Sequence, residues 1–223
     1  MKIEVSKIIR SKRRTFAIEV HGDARVVVRV PLRAPDDLIE KIIHKRRSWI
    51  HQKQELARER SRLIPKREFA DGEDLLYLGG MYRLKVVEQQ TAPLLFNGAF
   101  LLSEDHVERA RDLFIGWYRK EALRKISERV LYHASVSGIK YGRVNITGAG
   151  KRWGSCSPNG NLNFSWRLIM APLGVVDYVV LHELAHISEK SHSKRFWLKV
   201  NELCPDYRVH EKWLSDNGHM MVL

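Results

Sequence analysis

Residues 173–189 read LGVVDYVVLHELAHISE, and how this stretch is folded decides what surrounds it. Periodicity leaves Val175–Leu181 open between a strand and a buried helix, because the run is continuous and rich in valine. The histidines separate the two. On a strand, His182 and His186 would lie about 13 Å apart, too far to share an ion. On a helix they lie one turn apart on one face, where two imidazoles can converge. The His-Glu-x-x-His spacing therefore predicts a helix carrying a metal site. Glu183 follows the first histidine and points about 100° around the helix from it, close to an ion without competing as a ligand. A zinc ion lowers the pKa of its bound water toward about 7, and a carboxylate so placed takes the proton and later delivers it to a leaving group.

A catalytic zinc needs a third protein ligand and one open position for water. His192, beyond a short break in the apolar pattern, is the favoured third ligand. Three-histidine sites of one large peptidase class place a glycine midway, where this chain has Glu189, so the chain must turn here in another way. Glu189 and Glu202 are the alternative oxygen donors. Ser191 or Ser193 then caps a helix that carries Phe196, Trp197 and Val200 toward a core.

Upstream, Val144-Asn145-Ile146-Thr147 reads as a strand and Ser157-Pro158-Asn159-Gly160 as a turn. Leu162, Phe164, Trp166 and Leu168 alternate with polar residues, which predicts a strand over Asn161–Leu168, paired as a hairpin with the strand before it. Ala171-Pro172 ends it. A long helix is expected from Ser103 to Tyr132, burying Val107, Ala110, Phe114, Trp117, Tyr118, Ile126 and Val130. Residues 69–102 read as short strands with turns at Asp71-Gly72 and Gly79-Gly80. At the start, Thr15–Val20 and Arg25–Val30 form a hairpin signal around His21–Ala24. Asp36 or Asp37 caps a helix over about 36–62, with Ile39, Ile42, Ile43, Trp49, Ile50, Leu56 and Ala57 on its apolar side, and Pro65 ends it. The fold class is α+β. We expect an N-terminal β-rich region with a basic helix over residues 1–102 and a metallohydrolase domain over 103–223.

The chain has 223 residues, of which 44% are apolar and 29% charged, the balance of an ordinary globular protein. It lacks an apolar run long enough to span a bilayer and an N-terminal secretory signal, so a cytoplasmic protein without a membrane is expected. Cys156 and Cys204 are too few for a disulfide framework and read as thiols. The net charge of +13 is lopsided, since residues 1–67 carry +11 of it. A basic face attracts nucleic acid, nucleotide phosphates or an anionic surface, or simply keeps the protein dissolved.

The chain resembles the YgjP-like zinc metallopeptidases, relatives of the SprT-like and WLM peptidases. The resemblance rests on Arg152-Trp153-Gly154-Ser155-Cys156, the stretch Asn161–Leu168, Asp177-Tyr178-Val179-Val180, His182-Glu183-Leu184-Ala185-His186, His192-Ser193-Lys194-Arg195-Phe196-Trp197 and Pro205-Asp206-Tyr207. It implies a zincin-like core of a small, mostly antiparallel sheet, an active-site helix and a long backing helix. It implies His182, His186 and His192 as zinc ligands, Glu183 as base, and the Arg152–Cys156 turn beside the cleft. Arg152 could then stabilise a developing oxyanion or hold a phosphate, or merely pack the hairpin. In zincins an edge strand above the helix pairs with extended substrate, and Asn161–Leu168 is the candidate for it.

The leading expectation is a zinc-dependent hydrolase acting on a peptide or protein, with Glu183 activating a zinc-bound water. One alternative keeps the metal and changes the substrate to a nucleotide, whose pyrophosphate bond is hydrolysed. The other is a nucleic-acid-associated protease or binding module that docks through the basic N-terminal region.

Overall fold

The computed structural model describes residues 3–63 and 67–223. Two compact units follow one another, Met1–Pro65 and Lys66–Leu223. In the first, Val26, Val28 and Val30 alternate inward, as a strand with one buried face requires. They belong to β3 (Val26–Pro31), which lies between β1 (Lys7–Ser11) and β2 (Ala17–Val20). The expected hairpin is β2–β3, antiparallel with Val20 opposite Val26, while β1 pairs parallel to β3. The helix expected in one piece over 36–62 is two, α1 (Asp36–Lys45) and α2 (Arg47–Leu63). Arg46 sits between them at φ −102° and ψ 9°, its N–H shared by the carbonyls of Ile42 and Ile43. This tight turn resets the helix phase: Ile39 and Ile50 are buried, but Trp49 is 38% exposed. Neither Asp36 nor Asp37 caps α1. Pro35 holds the cap position, and Asp36 instead pairs with Arg10. Pro65, expected to end the helix, lies outside the described residues.

The second unit starts with β4 (Asp74–Tyr77), β5 (Gly80–Val87), β6 (Leu94–Phe96) and β7 (Phe100–Ser103), ordered β4-β5-β7-β6. Their aromatic side chains meet those of α3 (Ala110–Ser137): Tyr77 and Phe96 pack on Trp117, and Phe100 on Phe114 and Tyr118. These strands therefore share one core with the helices that follow, and the division expected between residues 102 and 103 falls instead between 65 and 66. Local pattern located the strands; it carried no information about which helix would cover them. α3 is preceded by a 3-10 turn (Glu104–Arg109) and ends at Gly138, whose φ of 66° supplies the left-handed cap. Its buried residues recur every fourth position from Ala110 to Ala134. Such a stripe drifts about 40° per step around the helix, so successive turns face different partners.

The β4–β5 hairpin turns on Leu78 and Gly79, both at positive φ (47° and 80°), the geometry that suits a two-residue loop. Their N–H groups donate to Ile169 and Met170. A Cβ on Gly79 would lie 2.8 Å from Pro172. Gly79→Ala combines a strained φ with this clash and should cost about 1–3 kcal/mol, read as a lower denaturant midpoint.

The last sheet contains β8 (Val144–Thr147), β9 (Gly154–Cys156) and β10 (Leu162–Ser165), ordered β8-β10-β9. β10 pairs parallel with β8 and antiparallel with β9. The strand expected over Asn161–Leu168 stops at Ser165, and a 3-10 turn occupies Trp166–Met170. Leu168, Ile169, Met170 and Ala171 are all buried, which an alternating strand with one wet face cannot achieve. Because β10 is the middle strand, it has no free edge to offer; β9 does.

Three helices complete the unit: α4 (Leu173–Ser188), α5 (Lys194–Leu203) and α6 (Tyr207–Asn217). The ambiguous run Val175–Leu181 is helical and almost wholly buried. α4 is tied to α3 by Asp177, which accepts from the Arg129 guanidinium at 2.5 and 2.8 Å and lies 3.1 Å from His133 Nε2. Among the described residues, no helix is long and apolar enough to cross a membrane.

Candidate metal centre

α4 brings His182 and His186 to one face, and the chain after it returns His192 to meet them. The Nε2 atoms of His182 and His186 each lie 3.1 Å from Nε2 of His192. With zinc–nitrogen bonds of about 2.0–2.1 Å, nitrogens this far apart subtend an angle of about 100° at a shared ion, which suits a tetrahedral site with one position left over. The donor set therefore fits a divalent cation of the zinc type. The alternative oxygen donors do not join it. Glu189 contributes its backbone carbonyl, 3.0 Å from His186 Nδ1, and Glu202 pairs with Lys199.

The return of the chain needs no glycine. Glu189 takes an extended conformation (φ −118°, ψ 96°) directly after the helix, and its N–H still donates to Ala185. Ser193 then caps α5, accepting from the N–H of Phe196. The caps place two aromatic rings against the histidines. Phe196 stacks on His186 at 4.3 Å between centroids, and Trp197 on His192 at 5.8 Å. The Glu189 carbonyl can accept only from a protonated Nδ1 of His186, which leaves Nε2 with its lone pair free for a ligand role. Burial and the neighbouring His186 and His192 hold the His182 imidazole down at about 4, and burial likewise lowers His186. Both rings are then neutral near pH 7, as metal ligation requires.

Glu183 is 4% exposed, and its Oε2 has no hydrogen-bond partner among the described residues. Burial pushes its carboxyl up to about 8, against the opposing pull of the Arg152 guanidinium. A buried, unpartnered carboxyl is costly for a fold and is a common mark of a working acid or base. β9 lies flush against it. A Cβ built on Gly154 would come within 2.5 Å of Glu183 Oε1 and 2.7 Å of its Cγ. The resemblance put the Arg152–Cys156 turn beside the cleft, and the reason for its glycine is the space the carboxylate occupies. Gly154→Ala should displace Glu183 and lower turnover about tenfold or more while the protein keeps its metal, checked by kinetics alongside elemental analysis.

Two small cavities open onto this centre. One, about 200 Å³, is lined by Arg152, Trp153, Gly154, Tyr178, Val179, His182, Glu183 and Leu214. The other, about 310 Å³, is lined by Arg152, Gly154, Ser155, Cys156, His182, Glu183, His186, Lys190 and His192. Arg152 thus lies where the resemblance put it, and Lys190 is a second cation that sequence reading did not single out. A larger cavity, about 720 Å³, belongs to the first unit, but among the described residues no trio of metal-ligating side chains converges in it.

The YgjP-like metallopeptidase domain matches residues 14–217. The chain belongs to this family. Membership makes this chain a metallohydrolase, and the family implies a divalent ion, typically zinc. No curated protein matches the chain. A solved structure described as the metallopeptidase zymogen of Pyrococcus abyssi abylysin aligns with 44% of this YgjP-like chain and 99% of its own, at 18% identity and a TM-score of 0.38.

Proposed function

We propose that this chain is a zinc-dependent peptide hydrolase built on a zincin-type core, with α4 as active-site helix and α3 as backing helix. His182, His186 and His192 would hold the ion. The observation that carries this reading is the meeting of three imidazole Nε2 atoms beside a buried carboxyl whose Oε2 has no hydrogen-bond partner among the described residues. When bound, zinc would supply Lewis acidity and lower the pKa of a nearby water toward about 7. Glu183 takes the proton of the attacking water at its carboxylate and passes it to the departing amine nitrogen. A dication held beside this carboxyl would favour its ionised form, the form that accepts a proton. Arg152, exposed at the cleft and without a hydrogen bond among the described residues, supports the negative charge that develops on the carbonyl oxygen. The free edge of β9, rather than β10, pairs with an extended substrate and presents its carbonyl to the site.

A first test is hydrolysis of a peptide library by zinc-loaded protein, with the chelated protein as control. Product formation that requires the metal supports the reading; a flat result for both contradicts it. Arg152→Ala should lower kcat about 100- to 1,000-fold with metal content unchanged, as loss of one oxyanion donor does elsewhere.

A second reading, hydrolysis of a nucleotide pyrophosphate bond, draws support from the pairing of Arg152 with Lys190 in a cleft whose one acid is Glu183. Release of pyrophosphate or phosphate from a nucleotide panel, without peptide cleavage, would favour it. Docking on nucleic acid rests on the charge of the first unit, where Arg46 and Arg47 are exposed. Such binding should fall steeply between low and physiological salt. Flat or absent binding removes that reading.

A further inference from the structure

Outside the three-histidine centre, one other trio of metal-ligating side chains converges among the described residues: Cys204, Asp206 and His210. Cys204 closes α5, Asp206 precedes α6, and His210 lies one turn into α6. The Cys204 thiol donates to Asp206 Oδ1 at 3.4 Å, and His210 Nε2 lies 3.1 Å from Asp206 Oδ2. One ligand atom from each lies within 4.8 Å of the others. Tetrahedral zinc with bonds of about 2.0–2.3 Å has ligand–ligand edges of about 3.3–3.8 Å, so a small closure brings all three onto one ion.

An Asp–His pair one helical turn apart is ordinary by itself. Two things set this one apart. A buried thiol, 7% exposed, is turned onto the same carboxylate. The imidazole is also held from behind: Tyr178 stacks on it at 6.3 Å, and Gly174 leaves it room, since a Cβ there would lie 3.0 Å from the ring.

We infer that Cys204, Asp206 and His210 form a second metal site, taking zinc or a similar borderline divalent ion, that clips the end of α5 to the start of α6. Sulfur, nitrogen and oxygen donors together select such an ion over magnesium or calcium, which prefer all-oxygen shells. Binding forms a sulfur–metal bond as the thiol proton leaves to solvent. The clip is positional, not catalytic. It fixes the start of the helix that carries Leu214 into the cleft wall and leads to Gly218, against which Trp153 packs.

The test uses the full chain with His182→Ala and His186→Ala, which removes the first site. Titrated with cobalt(II), it should bind one equivalent and develop a thiolate-to-cobalt charge-transfer band. Cys204→Ser should abolish that band, Cys156→Ser should leave it, and His210→Ala should weaken binding at least tenfold. In the unmutated chain, native mass spectrometry should count two zinc ions, and one fewer in His210→Ala. Absence of the band, its survival in Cys204→Ser, or a zinc count that His210→Ala leaves unchanged would overturn the inference. Loss of the first site's metal alone would leave it standing, so the two proposals fail separately.

Discussion

Glu183→Gln should retain the metal and lose turnover by about 10²- to 10⁴-fold, the range associated with removing a general base. The substitution keeps the shape that Gly154 accommodates, so the ion and the cleft wall should be undisturbed. What disappears is the carboxylate that accepts the proton of the attacking water. Stability gives an independent readout. Burial raises the Glu183 carboxyl from 4.5 to about 8 in the metal-free fold, so the folded state favours the protonated form. Its contribution is therefore fully present below about pH 4.5 and is lost as the pH rises toward about 8. Metal-free Glu183→Gln should escape that loss and melt no lower than the parent chain at pH 8. A variant that turns over at the parental rate would remove Glu183 from the role of base.

His186→Ala should lose both metal and activity. Deleting one of three protein ligands should weaken zinc binding by more than about 100-fold, the upper range for changes one shell further out. The damage has a structural part as well. The ring stacks on Phe196, and its Nδ1–H serves the Glu189 carbonyl. Removing it leaves a gap and an unpaired carbonyl, together worth about 2–4 kcal/mol. Elemental analysis, activity and a thermal melt on the same preparation separate these effects. Full zinc occupancy in His186→Ala would contradict the ligand set, whatever happened to activity.

The site was more legible in the sequence than the fold around it. His182, Glu183 and His186 follow from one helical spacing, because a helix makes residues four apart neighbours and a strand does not. His192 depends on how the chain returns after the helix, and the extended Glu189 makes that return without a glycine. What could not be read were features set by partners distant in sequence. Trp49 looked core-facing until the break at Arg46 turned its helix. Asn161–Leu168 looked like one exposed-edge strand, but β8 and β9 flank it on both sides. The unit boundary moved to residue 65 because Tyr77, Phe96 and Phe100 find their cover on α3. Gly154 shows the same limit on a small scale: its lack of a side chain makes sense only once Glu183 lies against it.

The most direct measurement is anomalous diffraction at the zinc absorption edge from crystals of the unmutated, zinc-loaded chain. The account predicts a strong peak about 2.0–2.1 Å from Nε2 of each of His182, His186 and His192, with the Glu183 carboxylate beside it but outside bonding distance. No peak among the three histidines, or an ion there held by Glu183 in place of one of them, would contradict it.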